Sequence, residues 1–254
     1  MPARRVIVTR PAREAQRWVD ALRAAGLDAV ALPLIVIGAL PQAAPAMALG
    51  HHDALMFVSA AAVEHFFATH ADDVDPATTP RCWATGPGTT RALLEVGVPA
   101  AAIDAPAEDT AQFDSEALWI CVQAQVHPGA RVLIVRGGDA AGHATGRDWL
   151  ARQVEAAGGM VETLVAYRRL PPSFGADDVR IAMEGVQGEA TWLFSSSEAI
   201  ANLCHALPGA TWHAARAVAT HARIAQAAEA AGFGLVRTSA PTVAALVASI
   251  EFAG

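Results

Sequence analysis

With 254 residues, 53% hydrophobic and 17% charged, the chain has enough apolar material for one large core or two modest ones, which excludes a disordered polymer. Its 18 basic residues are all Arg, so Schiff-base chemistry, pyridoxal catalysis and a Walker A loop, each needing a lysine, are excluded too. The net charge of −7 argues against nucleic acid as a partner, and three scattered Cys without CxxC spacing argue against a disulfide framework.

The first strand is predicted from the β-branched run at residues 6–9, and helical spacing follows over 13–25, closed by Gly26. The apolar stretch at 29–40 is interrupted by Pro33 and is shorter than the ~20 residues of a spanning helix. No signal-peptide apolar region precedes the first strand, so the expected place is the cytoplasm, away from membranes. A strand led by Asp53 ends in Phe57-Val-Ser59, and the loop Thr85-Gly86-Pro87-Gly88-Thr89 opens a helix that Gly97 follows. A buried strand at 132–135 leads into a Gly-rich loop at 137–146, then a helix from Trp149 that ends before Gly158. Next come a strand at 161–167 ending in Tyr167, Phe194-Ser195-Ser196-Ser197, Ala219-Thr220, a helix at 224–231 before Gly232, and a strand at 235–238. The four glycines stand where a left-handed helix cap is wanted. The strands are apolar throughout rather than alternating, as in parallel sheets covered on both faces. The fold class is α/β.

The pattern recurs. RVIVTR from Arg5 is echoed by RVLIVR from Arg131, and WVDAL from Trp18 by WLARQ from Trp149. Phe57-Val-Ser59 followed by Val63 is echoed by Phe194-Ser-Ser196 followed by Ile200, and Ala84-Thr85 by Ala219-Thr220. Four matches in one order indicate an internal duplication giving two similar parallel-sheet α/β/α domains. Prolines at 41–45 and at 171–172 break the pattern at equivalent points and read as linkers. The repeat taken alone suggests a boundary near residue 126. Paired linkers equally allow each domain to draw strands from both repeats, and the pattern leaves both divisions open.

In open α/β sheets, ligands lie beyond the carboxyl ends of the strands, where helix N-termini offer free N–H groups. Thr9, Arg10, Ser59, Thr85, Gly86, Thr89, Arg136, Gly137, Ser195, Ser196, Ser197 and Thr220 occupy such points and are the candidate binding residues, expected where the two halves face each other. Ser and Thr at these turns are also ordinary N-caps. The glycine loop lacks dinucleotide-fingerprint spacing and no GxSxG elbow is present; the nine His are dispersed, so no metal site is expected. His221 opens a helix, where a cap is its commoner role. Tyr167 is the only tyrosine. Its phenol is a candidate proton donor; the alternative is a ring at a domain edge with its hydroxyl in water.

Taken in order, these motifs resemble the uroporphyrinogen-III synthase family over nearly the whole chain. The resemblance rests on Val8-Thr9-Arg10-Pro11, the Asp53-led strand to Ser59, and Ala84-Thr85-Gly86-Pro87-Gly88-Thr89. It continues through DSEAL from Asp114, GARVLIVRG from Gly129, GRDWL from Gly146, Tyr167-Arg168 and Phe194-Ser-Ser196. It implies an interleaved chain, with residues 1–37 and 173–254 in one domain, 42–168 in the other, and linkers at 38–41 and 169–172. It also implies a lyase that closes the linear tetrapyrrole hydroxymethylbilane to uroporphyrinogen III in haem biosynthesis. The last pyrrole ring is inverted, water is lost and no cofactor is used; Tyr167 is the catalytic acid. The second loop departs from the family pattern, reading THARI from Thr220, which leaves Thr220 as the binding candidate there. The implied partners are the substrate, as a monomer, and a transient contact with the preceding pathway enzyme. The competing reading is a two-domain protein that binds an anionic ligand without chemistry.

Overall fold

A computed structural model describes residues 5–40, 51–69, 80–107 and 113–251. In chain order the first segment forms β1 (Arg5–Val8), α1 (Ala12–Ala24) and β2 (Ala29–Ala31). The middle of the chain forms β3 (Val36–Gly38), β4 (Ala54–Phe57), α2 (Ala60–Phe67), β5 (Arg81–Ala84), α3 (Pro87–Glu95), β6 (Ile103–Asp104), α4 (Ser115–Val122), β7 (Arg131–Gly138), α5 (Trp149–Ala156) and β8 (Met160–Leu170). The last segment forms α6 (Ala176–Val186), β9 (Ala190–Phe194), α7 (Ser197–Ala206), β10 (Arg216–Ala219), α8 (Ala222–Ala230), β11 (Leu235–Thr238) and α9 (Val243–Glu251).

The chain divides into two compact units, Met1–Val36 with Leu170–Gly254, and Ile37–Arg169. The first holds a five-stranded sheet ordered β11-β10-β9-β1-β2, and the second a six-stranded sheet ordered β3-β8-β7-β4-β5-β6. The strand pairs β1–β2, β1–β9, β9–β10 and β10–β11 are parallel, as are β4–β5, β4–β7, β5–β6 and β7–β8. Set β3 aside and both sheets share one spatial order: β2-β1-β9-β10-β11 corresponds to β8-β7-β4-β5-β6. In the second unit, the pair β7–β8 follows in the chain what the pair β1–β2 precedes in the first. This is the 2-1-3-4-5 order of doubly wound sheets, whose direction of winding reverses between β1 and β9 in one unit and between β7 and β4 in the other.

Both faces of each sheet are covered, which explains the unbroken apolar runs. In the second unit, Leu55, Phe57, Leu133 and Val135 pack with Val63, Phe66 and Leu93 of α2 and α3. Met56, Trp83, Val132 and Ile134 point the other way, against Leu118 and Val122 of α4 and Leu150 and Val154 of α5. In the first unit, Val6, Val8, Leu193 and Val218 meet Val19 and Leu22 of α1 and Leu246 of α9. Gly26, Gly97, Gly158 and Gly232 have φ between +86° and +93°, the left-handed caps the sequence called for. Among the described residues no helix is long and apolar enough to cross a membrane.

Two sequence expectations change. The strand at 235–238 is not buried throughout: Leu235, Val236 and Arg237 are half-buried and Thr238 is exposed, because β11 is the sheet's outer strand. The strand expected at 161–167 extends to Leu170 and stops only at Pro171, which has no N–H to continue the ladder. The proline break at 41–45 lies outside the described residues.

Candidate active site

The carboxyl ends of β4 and β7 flank the winding reversal of the second unit. Phe57 ends β4, and Ser59 caps α2 with its Oγ accepting from the Ala62 N–H at 3.1 Å. The same Oγ lies 3.0 Å from the Tyr167 hydroxyl. Tyr167 comes from β8, two strands away across β7, and is 3% exposed. Its ring belongs to the apolar layer beneath α2 and α3, with the His65 ring of α2 at 5.7 Å. The phenol is therefore not an edge ring with a wet hydroxyl: it is buried and hydrogen-bonded to a helix cap.

The bond has a chemical consequence. When a phenol gives up its proton, negative charge develops on oxygen, and here that oxygen sits beside the N-terminus of α2. The partial positive charge of the helix end and a Ser59 O–H turned toward the oxygen both favour it.

Arg136 lies on the other side of the sheet. It continues the alternation of Val132 and Ile134 toward α5, is 6% exposed, and donates to Asp148 at 2.8 Å and to the Arg147 carbonyl at 3.3 Å. Gly146, at φ +119°, makes room for it, since a Cβ there would clash with the guanidinium Nη2. Arg136 thus pins the returning strand of the Gly-rich loop rather than joining the hydroxyl pair. That loop folds back on the end of β7: the Thr145 N–H reaches the Gly137 carbonyl at 3.4 Å, and Arg169 donates to the Thr145 hydroxyl. Within it, N–H groups of His143 and then Ala141 hold the Asp139 carboxyl below its usual range, against some desolvation.

The glycine loop sits after β5. Thr85 donates to the Val58 carbonyl at 3.2 Å, tying this loop to the β4 turn. Gly86 is the N-cap position of α3, and a Cβ there would come within 3.0 Å of Phe113. Thr89 is 5% exposed inside the first turn of α3.

In the first unit the equivalent points are the ends of β1 and β9. Thr9 is 1% exposed, and its hydroxyl donates to the Leu193 carbonyl at 2.7 Å, so it staples β1 to β9. Arg10 pairs with Glu14 at 3.1 Å and lies 4.8 Å from the centroid of the Trp18 ring. Ser195 is half-buried; Ser196 caps α7 by accepting from the Glu198 N–H at 3.2 Å. The Ser197 hydroxyl is buried without a hydrogen-bond partner among the described residues. Thr220 is half-buried, and its N–H donates to the Phe194 carbonyl at 3.0 Å. His221 caps α8 through Nδ1, accepting from the Arg223 N–H at 3.1 Å.

The structure therefore brings Ser59 and Tyr167 together, and Gly137 lies against the Tyr167 ring. His65 and Asp148 were not singled out: each makes its contact through the fold, although Asp148 stands within the GRDWL stretch from Gly146. Among the described residues no group of three or more His, Cys, Asp or Glu is placed to hold a metal ion.

Two doubly wound parallel sheets, each reversing its winding beside Ser- and Thr-bearing helix starts, define a two-unit α/β protein. The family model described as "Uroporphyrinogen-III synthase HemD" matches residues 16–248, and the chain belongs to that family. Among solved structures it is similar to uroporphyrinogen-III synthetase from Helicobacter pylori, with 13% identity, 98% of this chain and 99% of that chain covered, and a TM-score of 0.57. It is also similar to a mutant uroporphyrinogen III synthase from Thermus thermophilus, with 18% identity, 99% and 98% covered, and a TM-score of 0.55. No curated protein matches the chain.

Proposed function

We propose that this protein closes hydroxymethylbilane to uroporphyrinogen III as a cofactor-independent lyase, with Tyr167 as the proton donor. The observation that carries the assignment of the acid is the Ser59–Tyr167 hydroxyl pair at the winding reversal of the second unit, in a chain matched by the family over 16–248. The phenol protonates the departing hydroxyl of the substrate, the C–O bond breaks, and water leaves. The methylene carbon, now part of a cationic azafulvene, is attacked by the substituted carbon of the last pyrrole ring. The resulting spiro centre opens and recloses with that ring inverted, and a proton returns to the phenolate as aromaticity is restored. The Ser59 O–H and the α2 terminus hold the charge on Tyr167 in the interval.

The substrate's carboxylates are anions suited to first-turn N–H groups of α2 and α3, whose starts carry Ser59 and Gly86. Arg10 and Arg136 contribute less than their charge suggests, since Glu14 and Asp148 already occupy them. What the site supplies is mainly orientation, because ring closure needs the reacting carbons held together more than it needs a strong nucleophile.

The test is incubation of the purified protein, without added metal or cofactor, with hydroxymethylbilane. The type III isomer is the expected product. Type I alone, the product of unassisted closure, would leave an anion-binding protein without this chemistry.

A further inference from the structure

We infer that Gly137 is a positioning residue for Tyr167: its missing side chain is the seat that lets the phenol reach Ser59. The kinetic part of this inference rests on Tyr167 being the proton donor; the steric part stands without it.

Strands β7 and β8 pair in steady register as far as Arg136 and Val165, then slip, so that Gly137 faces Tyr167 instead of Ala166. Such irregularities re-aim a side chain. Here Arg136 keeps to the face of α5, while the next residue lies under the tyrosine ring. A Cβ on Gly137 would stand 2.6 Å from Tyr167 Cζ, 2.7 Å from Cε2 and 2.8 Å from the hydroxyl oxygen. Those atoms belong to a rigid ring, not to the free end of a flexible chain. Gly137 does not have a positive φ, so backbone freedom is not what calls for glycine here. Nor can the ring simply retreat. Ser59 holds its hydroxyl, His65 lies alongside, and Leu164, Val135 and Val63 fill the layer around it. Alanine at 137 must therefore move the phenol off Ser59 or part the ends of β7 and β8.

Because Tyr167 is the chain's single tyrosine, ring-labelled tyrosine gives one set of NMR ring signals, readable in the intact protein without assignment. Gly137→Ala is expected to shift those signals, as is Ser59→Ala. It should also lower kcat for hydroxymethylbilane by about the factor that Tyr167→Phe does, roughly tenfold to a hundredfold, with KM within about twofold. In the double variant Gly137→Ala/Tyr167→Phe the losses should not multiply, since both remove one function. If Gly137→Ala melts too low for kinetics, Tyr167→Ala should lower the melting temperature less in that background than in the native chain, a partial recovery from removing the clash. An unmoved ring signal, losses that multiply, or no such recovery would overturn the inference. Multiplying losses would make Gly137 a backbone contact to substrate. Should Tyr167→Phe keep full turnover while Gly137→Ala still shifts the ring signal, the seat stands and the proton-donor reading falls.

Discussion

The two units reach the same strand order by different routes along the chain, yet the ends of their central strands are equipped differently. In the second unit, the reversal between β7 and β4 holds a buried phenol hydrogen-bonded to a helix cap. In the first, the reversal between β1 and β9 is closed by Thr9 bonding the Leu193 carbonyl, and Arg10 is tied to Glu14 over Trp18. One unit keeps a polar hydrogen with a nearby means of stabilising its loss; in the other, Thr9 and Arg10 are engaged by groups of their own unit. A shared topology fixes where a site can be. The side chains at that place decide whether it does chemistry.

The comparison breaks most visibly if the units are not the folding units. The division implied by the family resemblance, with 42–168 continuous and 1–37 joined to 173–254, predicts that a 40–170 fragment melts cooperatively. A 1–126 fragment would hold strands of both sheets without their central partners and is expected to show no cooperative transition by circular dichroism. A cooperative melt of the 1–126 piece would discard the interleaved division.

Next in size is the asymmetry of the chemistry. Tyr167→Phe keeps the ring packed and removes only the hydroxyl, so turnover should fall by at most about a hundredfold, the low end for one positioned acid, with KM nearly unchanged. Ser59→Ala removes both the partner of that hydroxyl and the α2 cap. Its turnover loss should be smaller than that of Tyr167→Phe, alongside about 1 kcal/mol of stability. Steady-state rates with thermal melts separate the two, and a Ser59→Ala loss exceeding that of Tyr167→Phe would move the acid to Ser59.

The smallest effect sharpens the first unit's side of the comparison. Thr9→Val keeps shape and deletes a buried hydrogen bond, so it should cost about 1 kcal/mol of stability while turnover stays within about twofold. A large turnover loss without a stability loss would return Thr9 to the substrate.

Much of this was legible from residue order. Strands buried on both faces show as unbroken apolar runs at Val6, Val132 and their neighbours, and the capping glycines are marked by what precedes them, since left-handed φ is a local requirement. Ser59, Ser196 and His221 were placed at helix starts because a cap is also decided within a turn. The family resemblance was carried by motif order, which the match over 16–248 supports. Other features depend on neighbours far along the chain. That Thr9 turns inward follows from β9 pairing with β1 from nearly two hundred residues away. That Arg136 is spoken for depends on Asp148 returning across the loop, and that Gly137 faces Tyr167 instead of Ala166 depends on a register slip that leaves no mark in the sequence. The Ser59–Tyr167 bond spans β4 and β8 with β7 between them, and exists only once three strands and the α2 turn are in place. Local patterns determined which elements form and which residues stand at their ends. The tertiary structure alone decided which of those residues meet, because hydrogen bonds and steric contacts act over a few ångströms in space whatever their separation along the chain.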